Sequence, residues 1–308
     1  MSAAGSEIRA TATVATLRDE DEVDGVFACT RKERLRSRVG SPYLALELSD
    51  ASGSIAARAF RDADLLAGRF ERGQLVRVRG RATRFRDELQ IDVATIASAA
   101  GAEADPSRFL PTAMRDLDEL EGFFEHLARE VYDAQLATLL ANLLGDRALR
   151  EELRRAPCFI PRARTPGAHH AYLGGLLEHS VAVATMAVEL CAVHPRLDRD
   201  LLLTAALVHD LGRTREFAYG AEVTRTEEGA LLGHLALGLR VIDAHAPARL
   251  DGRRRLALEH CVMLHHGPRE GAGAGFASAE AVALFRLNSL DAAVKGAFEH
   301  HLAGRADR

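Results

Sequence analysis

The sequence predicts a multidomain α+β protein: a small β-barrel or sandwich at the N-terminus, followed by an all-α region. Two periodicities and the junction between them carry this expectation. Alternating apolar and polar residues run from about position 8 to 97, and a three-to-four spacing takes over beyond Pro106. Between them, Ala99 to Pro111 is rich in small residues and contains Asp105-Pro106 and Pro111, the composition of a linker. A chain of 308 residues is long enough for two domains that each bury a core.

In the first region, Leu44, Leu46 and Leu48 fall on one face of an extended segment, and Ser49 to Gly53 is a turn cluster. Ser54 to Phe60 is a second extended run. From Gln74 to Ala82, Val76 and Val78 face one way while Arg77, Arg79 and Arg81 face the other. Leu89, Ile91 and Val93 mark a further strand. Short strands separated by turns suit a small barrel or sandwich. In the second region, Asp116 to Leu144 carries Leu117, Leu120, Phe123, Phe124, Leu127, Val131, Leu136, Leu139, Leu140 and Leu143 at helical spacing. Pro157, Pro161 and Pro166 interrupt the chain before the last helical block. The expected domains are 1–98, a connector over 99–160, and 161–308.

The composition excludes several classes. A hydrophobic fraction of 47% with 27% charged residues is that of a globular protein. No run approaches the roughly 20 apolar residues of a membrane span, and Met1 to Arg9 lacks an apolar leader core, so a cytoplasmic location is the default expectation. Cys29, Cys158, Cys191 and Cys261 stand alone, which argues against a cysteine-built zinc site or a disulfide framework and for buried thiols. A net charge of -4 does not by itself mark a nucleic-acid binder.

The histidines carry the chemistry. There are 13, and all except His126 lie at or beyond His169. Several sit in apolar helical segments, where an unpaired imidazole is costly. His179 lies near the start of a helix over Leu176 to Leu190. His209-Asp210 closes a second, from Leu201 to Leu211. His234 lies in a third, from about Ala230 to Ala244. His265-His266 ends a fourth, and Asn288 and Asp291 lie on a last helix from about Ser278. Divalent-metal sites in helical bundles are built in this way, from inward-pointing histidines and carboxylates on several helices. Imidazole with carboxylate suits Mn, Fe, Zn or Ni better than Ca. A His-Asp pair at a helix end can supply one ligand to one ion and bridge to another, as two-metal phosphoryl-transfer sites require.

The order His179, His209-Asp210, His234, His265-His266 resembles the HD superfamily of metal-dependent phosphohydrolases in its two-metal form. The resemblance to the YhaM-type 3′–5′ exoribonucleases is closer still. The stretch from His169-His170 through Gly174-Gly175 to His179 is the most specific part of that likeness. It continues through His209-Asp210-Leu211-Gly212, Leu231-Leu232-Gly233-His234 and His265-His266-Gly267. Ser41 to Leu44, Asp50 to Gly53 and Gly73 to Gly80 resemble the family's OB fold. The resemblance covers nearly the whole chain. It implies an OB-like barrel joined to an all-α HD-type bundle, and removal of nucleoside monophosphates from the 3′ end of single-stranded RNA, or DNA.

By position, the resemblance implies metal ligation by His179, His209, Asp210, His234, His265 and His266, with Asp210 bridging two ions. Mn2+ is the favoured ion, with Fe2+, Ni2+, Co2+ and Zn2+ as alternatives. Where the family has an aspartate as last ligand, this chain has Asn288; Asp291, three residues on, is a candidate substitute. Arg213 stands where the family has lysine, and its guanidinium can still meet a phosphate bidentately. Asp210, Arg213 and His170 are the catalytic candidates, His170 from a loop that could reach substrate, with His169 in reserve.

Arg77, Arg79 and Arg81 could form an electrostatic track for a nucleic-acid backbone, or simply the solvated face of the barrel. Arg31, Lys32, Arg34, Arg36 and Arg38 form a second basic run, and Phe60 and Phe85 are the stacking candidates. Three rival readings remain at this stage. The bundle could act on nucleotides or cyclic dinucleotides; Asn288 could mark a degenerate site in a single-strand-binding protein; or one ion could suffice. A homo-oligomer is left open.

Overall fold

The computed structural model describes residues 13–37, 39–50, 52–160, 168–268 and 275–302. Met1 to Arg9, Arg38, Ala51, Pro161 and Pro166, which the sequence readings above touch, lie outside the described residues. The chain forms two compact units, Met1–Leu110 with Tyr219–Val223, and Pro111–Ala218 with Thr224–Arg308.

The first unit is a closed five-stranded barrel. Its strands are β1 (Glu22–Arg36), β2 (Pro42–Asp50), β3 (Gly53–Ala59), β4 (Leu75–Phe85) and β5 (Glu88–Ser98), in the spatial order β1-β2-β3-β5-β4. A short helix α1 (Ala63–Ala67) joins β3 to β4. The long β1 pairs with β4 through Glu22 to Ala28 and with β2 through Ala28 to Arg36, shifting register between Cys29 and Arg31. The parallel pairing of Ala56–Arg58 with Gln90–Asp92 closes the barrel. Closure leaves no unpaired sheet edge.

The alternation seen in the sequence is the inward face. Phe27, Leu44, Leu46, Leu48, Val76, Val78, Ile91 and Val93 are buried together, with Leu89 packed at the margin. Gly80 sits at a register shift between β4 and β5. A Cβ there would lie 2.1 Å from the Asp92 carbonyl oxygen, so no other residue fits the close strand approach.

The second unit is helical. Asp116 to Leu144 holds two helices, α2 (Leu117–Arg129) and α3 (Ala134–Gly145), followed by α4 (Arg147–Arg155). The break falls where Asp133 caps α3, its carboxylate accepting from the Gln135 and Leu136 amides. Asp116 and Asp146 cap α2 and α4 in the same manner. Then come α5 (Gly175–Val193), α6 (Arg199–Val208) and α7 (Arg213–Glu216). A hairpin of β6 (Phe217–Tyr219) and β7 (Val223–Arg225) follows, then α8 (Glu227–His245), α9 (Gly252–Leu264) and α10 (Ala279–Gly296).

By length and composition alone, α5 is apolar enough to span a bilayer, with a mean hydropathy of 1.6 over its most apolar window. That corrects the expectation that no run comes close. Packing accounts for it: α5 is the central helix, touching α2, α4, α6 and α10, and it buries Leu176, Leu177, Val183, Ala184 and Ala187. All four cysteines are buried and free.

Candidate metal centre

Five helix segments and one loop bring their polar residues to a single locus, buried at its centre and open to solvent at His266. His179 lies one turn into α5. His209 and Asp210 follow the last residue of α6, His265 and His266 follow α9, and Asn288 and Asp291 lie on the inner side of α10. In α8 the backbone leaves helical geometry at Gly233, with φ 69° and ψ 167°, immediately before His234. Gly212 has a different task. A Cβ on it would meet the His234 carbonyl oxygen at 1.9 Å and the Gly238 nitrogen at 2.6 Å. A bare α-carbon after His209-Asp210 therefore lets α8 approach and delivers His234 to Asp210.

The hydrogen bonds fix which ring nitrogens face inward. His209 Nδ1 donates to the Ala206 carbonyl at 2.8 Å, and His265 Nδ1 donates to that of Val262 at 2.6 Å. His179 Nδ1 donates to Asp291 Oδ2 at 2.6 Å. With each Nδ1 carrying the proton, each Nε2 turns a lone pair to the centre. Burial drives the basicity of His209 well below the ordinary range despite the adjacent Asp210 carboxylate, so its ring is neutral. Burial likewise lowers His234 to about 3 and His266 to about 4.

Two groups result, and Asp210 belongs to both. In the first, His179 Nε2 lies 3.1 Å from His209 Nε2 and 2.9 Å from Asn288 Oδ1. His179, His209 and Asp210 each place a ligand atom within 4.8 Å of the others. In the second, His266 Nε2 lies 2.9 Å from His234 Nε2 and 3.0 Å from His265 Nε2. Asp210 Oδ1 stands 3.3 Å from His265 Nε2 and 3.4 Å from His234 Nε2, buried and without a hydrogen-bond partner.

Converging acceptor atoms and an orphaned buried carboxylate oxygen are costly alone, and a cation satisfies all of them. Asn288 fits the same account. Its Nδ2 donates to the His265 carbonyl at 3.0 Å, which turns Oδ1 towards His179. Asp291 is placed on the far side of His179, on Nδ1, rather than beside His209 and Asn288.

Arg213 is buried beside Asp210, with Nε 3.6 Å from Asp210 Oδ1 and the guanidinium 5.0 Å above the Phe159 ring. Its Nη1 donates to Glu216 Oε2 at 2.9 Å. Burial works against the Arg213 charge, but the Asp210 and Glu216 carboxylates outweigh it and hold the guanidinium protonated. Burial likewise opposes ionisation of Asp210, and the charge of the adjacent Arg213 guanidinium overcomes it, so Asp210 stays well below the usual carboxylate range. The buried Glu216, which also comes within 3.7 Å of His234 Nδ1, was not legible in the sequence. Its only signal is a position one turn beyond Arg213. His169 and His170 are both buried, their Nδ1 atoms 3.0 Å apart, and form a further group with His179 and Asp291.

On the barrel, Arg77, Arg79 and Arg81 point outward, but each meets a carboxylate. Arg77 bonds Asp24 and Glu103, Arg79 bonds Asp24, and Arg81 bonds Glu20. A second face is less compensated. Tyr43 stacks on Phe60 at 5.4 Å between ring centroids, and Arg58 lies 5.7 Å from the Tyr43 ring and 6.0 Å from that of Phe85. Phe60 and Phe85 are each 52% exposed, so neither is core.

Comparison with known proteins follows this division. The HD domain family matches residues 176–302, and the OB-fold nucleic acid binding domain family matches residues 28–97. A protein of Shouchella clausii named 3′–5′ exoribonuclease YhaM is 26% identical over 89% of this chain and 84% of its own length. Proteins of the same name from Halalkalibacterium halodurans and Oceanobacillus iheyensis are each 28% identical. They align with 75% and 81% of this chain and with 70% and 77% of their own lengths. The chain is a homologue of the YhaM exoribonucleases. It carries an OB fold followed by an HD domain, and HD domains are metal-dependent phosphohydrolase domains. The histidine and aspartate cluster, all of it within the HD match save His169 and His170, is suited to divalent metal binding.

Proposed function

We propose that this protein is a metal-dependent 3′–5′ exoribonuclease that hydrolyses single-stranded RNA to nucleoside monophosphates, using two ions that share Asp210. The observation that carries the reading is the membership of Asp210, itself buried, in two imidazole groups of one site whose outer edge is the exposed His266. His179, His209, Asp210 and Asn288 would hold one ion, and Asp210, His234, His265 and His266 the other. Mn2+ is the favoured metal because imidazole and oxygen donors suit borderline first-row ions. Such ions supply an activated water and neutralise charge on a phosphoryl group during in-line displacement.

The chain's own residues prepare that chemistry. Asp291 orients His179 by accepting from Nδ1, and the Ala206 and Val262 carbonyls do the same for His209 and His265. Arg213 keeps Asp210 ionised, and Glu216 holds Arg213 in place. In the barrel we assign base stacking to Tyr43, Phe60 and Phe85 with Arg58 among them, an arrangement tolerant of sequence. Arg77, Arg79 and Arg81, neutralised by their carboxylates, contribute less.

A substrate panel tests the reading. Single-stranded RNA, free nucleotides and cyclic dinucleotides are incubated with the full chain and Mn2+, alongside Asp210→Ala. Turnover of RNA that vanishes in the variant supports it. Turnover of the small nucleotides alone would replace it with a nucleotide phosphohydrolase, and RNA binding without turnover in any divalent metal would leave a binding protein.

A further inference from the structure

Two imidazoles at this locus have no part in the pair of ions just described. His169 and His170 precede α5, and both are buried. Their Nδ1 atoms face one another at 3.0 Å, a separation at which one ring can donate to the other only if their tautomers differ. Asp291 Oδ2 stands 3.8 Å from His170 Nδ1, and these atoms, with a ring nitrogen of His179, lie within 4.8 Å of one another.

The loop is built to hold His170 there. The residue has φ 49°, in the left-handed region that residues other than glycine seldom adopt. Its N–H donates to Glu299 Oε1 at 3.2 Å, and its carbonyl accepts from the Cys158 N–H at 3.0 Å. That carbonyl also rests on Gly175, where a Cβ would come within 2.2 Å of it. Strain maintained by three separate contacts points to a use for the side chain it positions.

We propose that His169, His170 and Asp291 form a third divalent-cation site, beside the two ions that share Asp210. Two imidazoles and one carboxylate are the donors of a borderline first-row ion, and three protein ligands leave a position open to water or to a phosphoryl oxygen. Asp291 would then serve twice, accepting from His179 Nδ1 on one side and ligating on the other, which couples the third site to the first.

The proposal rests on the two-ion reading, and counting bound ions separates the two claims. The full-length chain, stripped of metal, is titrated with Mn2+ while the free aqua ion is read by electron paramagnetic resonance. A parallel titration with Co2+ is read by visible absorption. His170→Asn removes the imidazole but keeps a residue that tolerates positive φ, and His169→Gln is an independent second variant. Circular dichroism establishes that each variant is folded. Three ions per chain in the wild type, falling to two in both variants, is the expected result. Two ions in the wild type and in the variants would overturn the third site and leave the Asp210 pair standing. Three ions everywhere would place the third elsewhere. No uptake of either metal would overturn both claims.

Discussion

Asn288→Asp perturbs the first metal group at one atom and reverses sign with metal loading. Asn288 is buried; its Nδ2 donates to the His265 carbonyl at 3.0 Å while Oδ1 faces His179 Nε2 at 2.9 Å. Aspartate keeps the inward oxygen and replaces the donor with a second oxygen, set against that carbonyl. Without metal the change loses one buried hydrogen bond and leaves an unsatisfied acceptor, a cost of about 1–3 kcal/mol. With metal, a formal negative charge is added beside an ion otherwise held by neutral imidazoles and Asp210, which favours binding. Urea denaturation of the metal-free protein is expected to show a lowered midpoint for Asn288→Asp. The same experiment with Mn2+ is expected to show the deficit narrowed or reversed, alongside tighter Mn2+ binding. An unchanged metal-free midpoint together with unchanged Mn2+ affinity would refute Asn288 as a ligand held by its own amide.

Other expectations follow from contacts elsewhere in the molecule. Gly212→Ala drives a methyl into the His234 carbonyl and the Gly238 nitrogen, a backbone clash worth about 1–3 kcal/mol or a displaced α8, so Mn2+ uptake and unfolding free energy should both fall. In the barrel, Phe60→Ala should weaken single-stranded RNA binding, by about 1–3 kcal/mol if a base stacks there. Arg79→Ala, removing a partner of Asp24, should change binding little; the reverse ranking in a filter-binding assay would return the contact to the arginine strand. Burial disfavours the charged forms of Glu121 and Asp133, but bonds from Arg150 and Arg154 to the first, and from the Leu136 amide and Arg254 to the second, outweigh it, so both carboxylates lie below their ordinary values of 4.5 and 3.8. Their contribution is therefore complete above those values and lost as pH falls through the lowered ones. Glu121→Gln should reduce stability at neutral pH and flatten the acid limb of a denaturation-versus-pH curve; a steeper acid limb would contradict the assignment.

The strands were legible because period-two patterning needs no partner to be visible. Leu44, Leu46 and Leu48 are apolar where the barrel buries them. Helices were legible for the same reason, but the aspartates that cap their starts, such as Asp116, Asp146 and Asp198, were not read as boundaries, so Asp116 to Leu144 looked like one run. Closure of the barrel through β3 and β5 was not, because a parallel pairing of Ala56–Arg58 with Gln90–Asp92 leaves no local signal.

Within the candidate site, residue types were readable but their geometry was not. The sequence offers Asp291 as a substitute ligand, whereas helical phase and the tautomer of His179 set it on the outer nitrogen. Arg77, Arg79 and Arg81 alternate as expected, yet Asp24, Glu20 and Glu103, distant in sequence, compensate their charge. Glu216 was invisible because its significance lies in what it touches, Arg213 and the neighbourhood of His234.

The most direct test of the central claim is a time course on one single-stranded RNA labelled separately at its 5′ and 3′ ends. The full chain is incubated with Mn2+, with Asp210→Ala as control. The account predicts that the 3′ label leaves at the earliest times as a mononucleotide while the 5′ label passes through a descending ladder, and that the variant gives neither. Internal fragments from both labels, release from the 5′ end, or equal degradation by Asp210→Ala would contradict it.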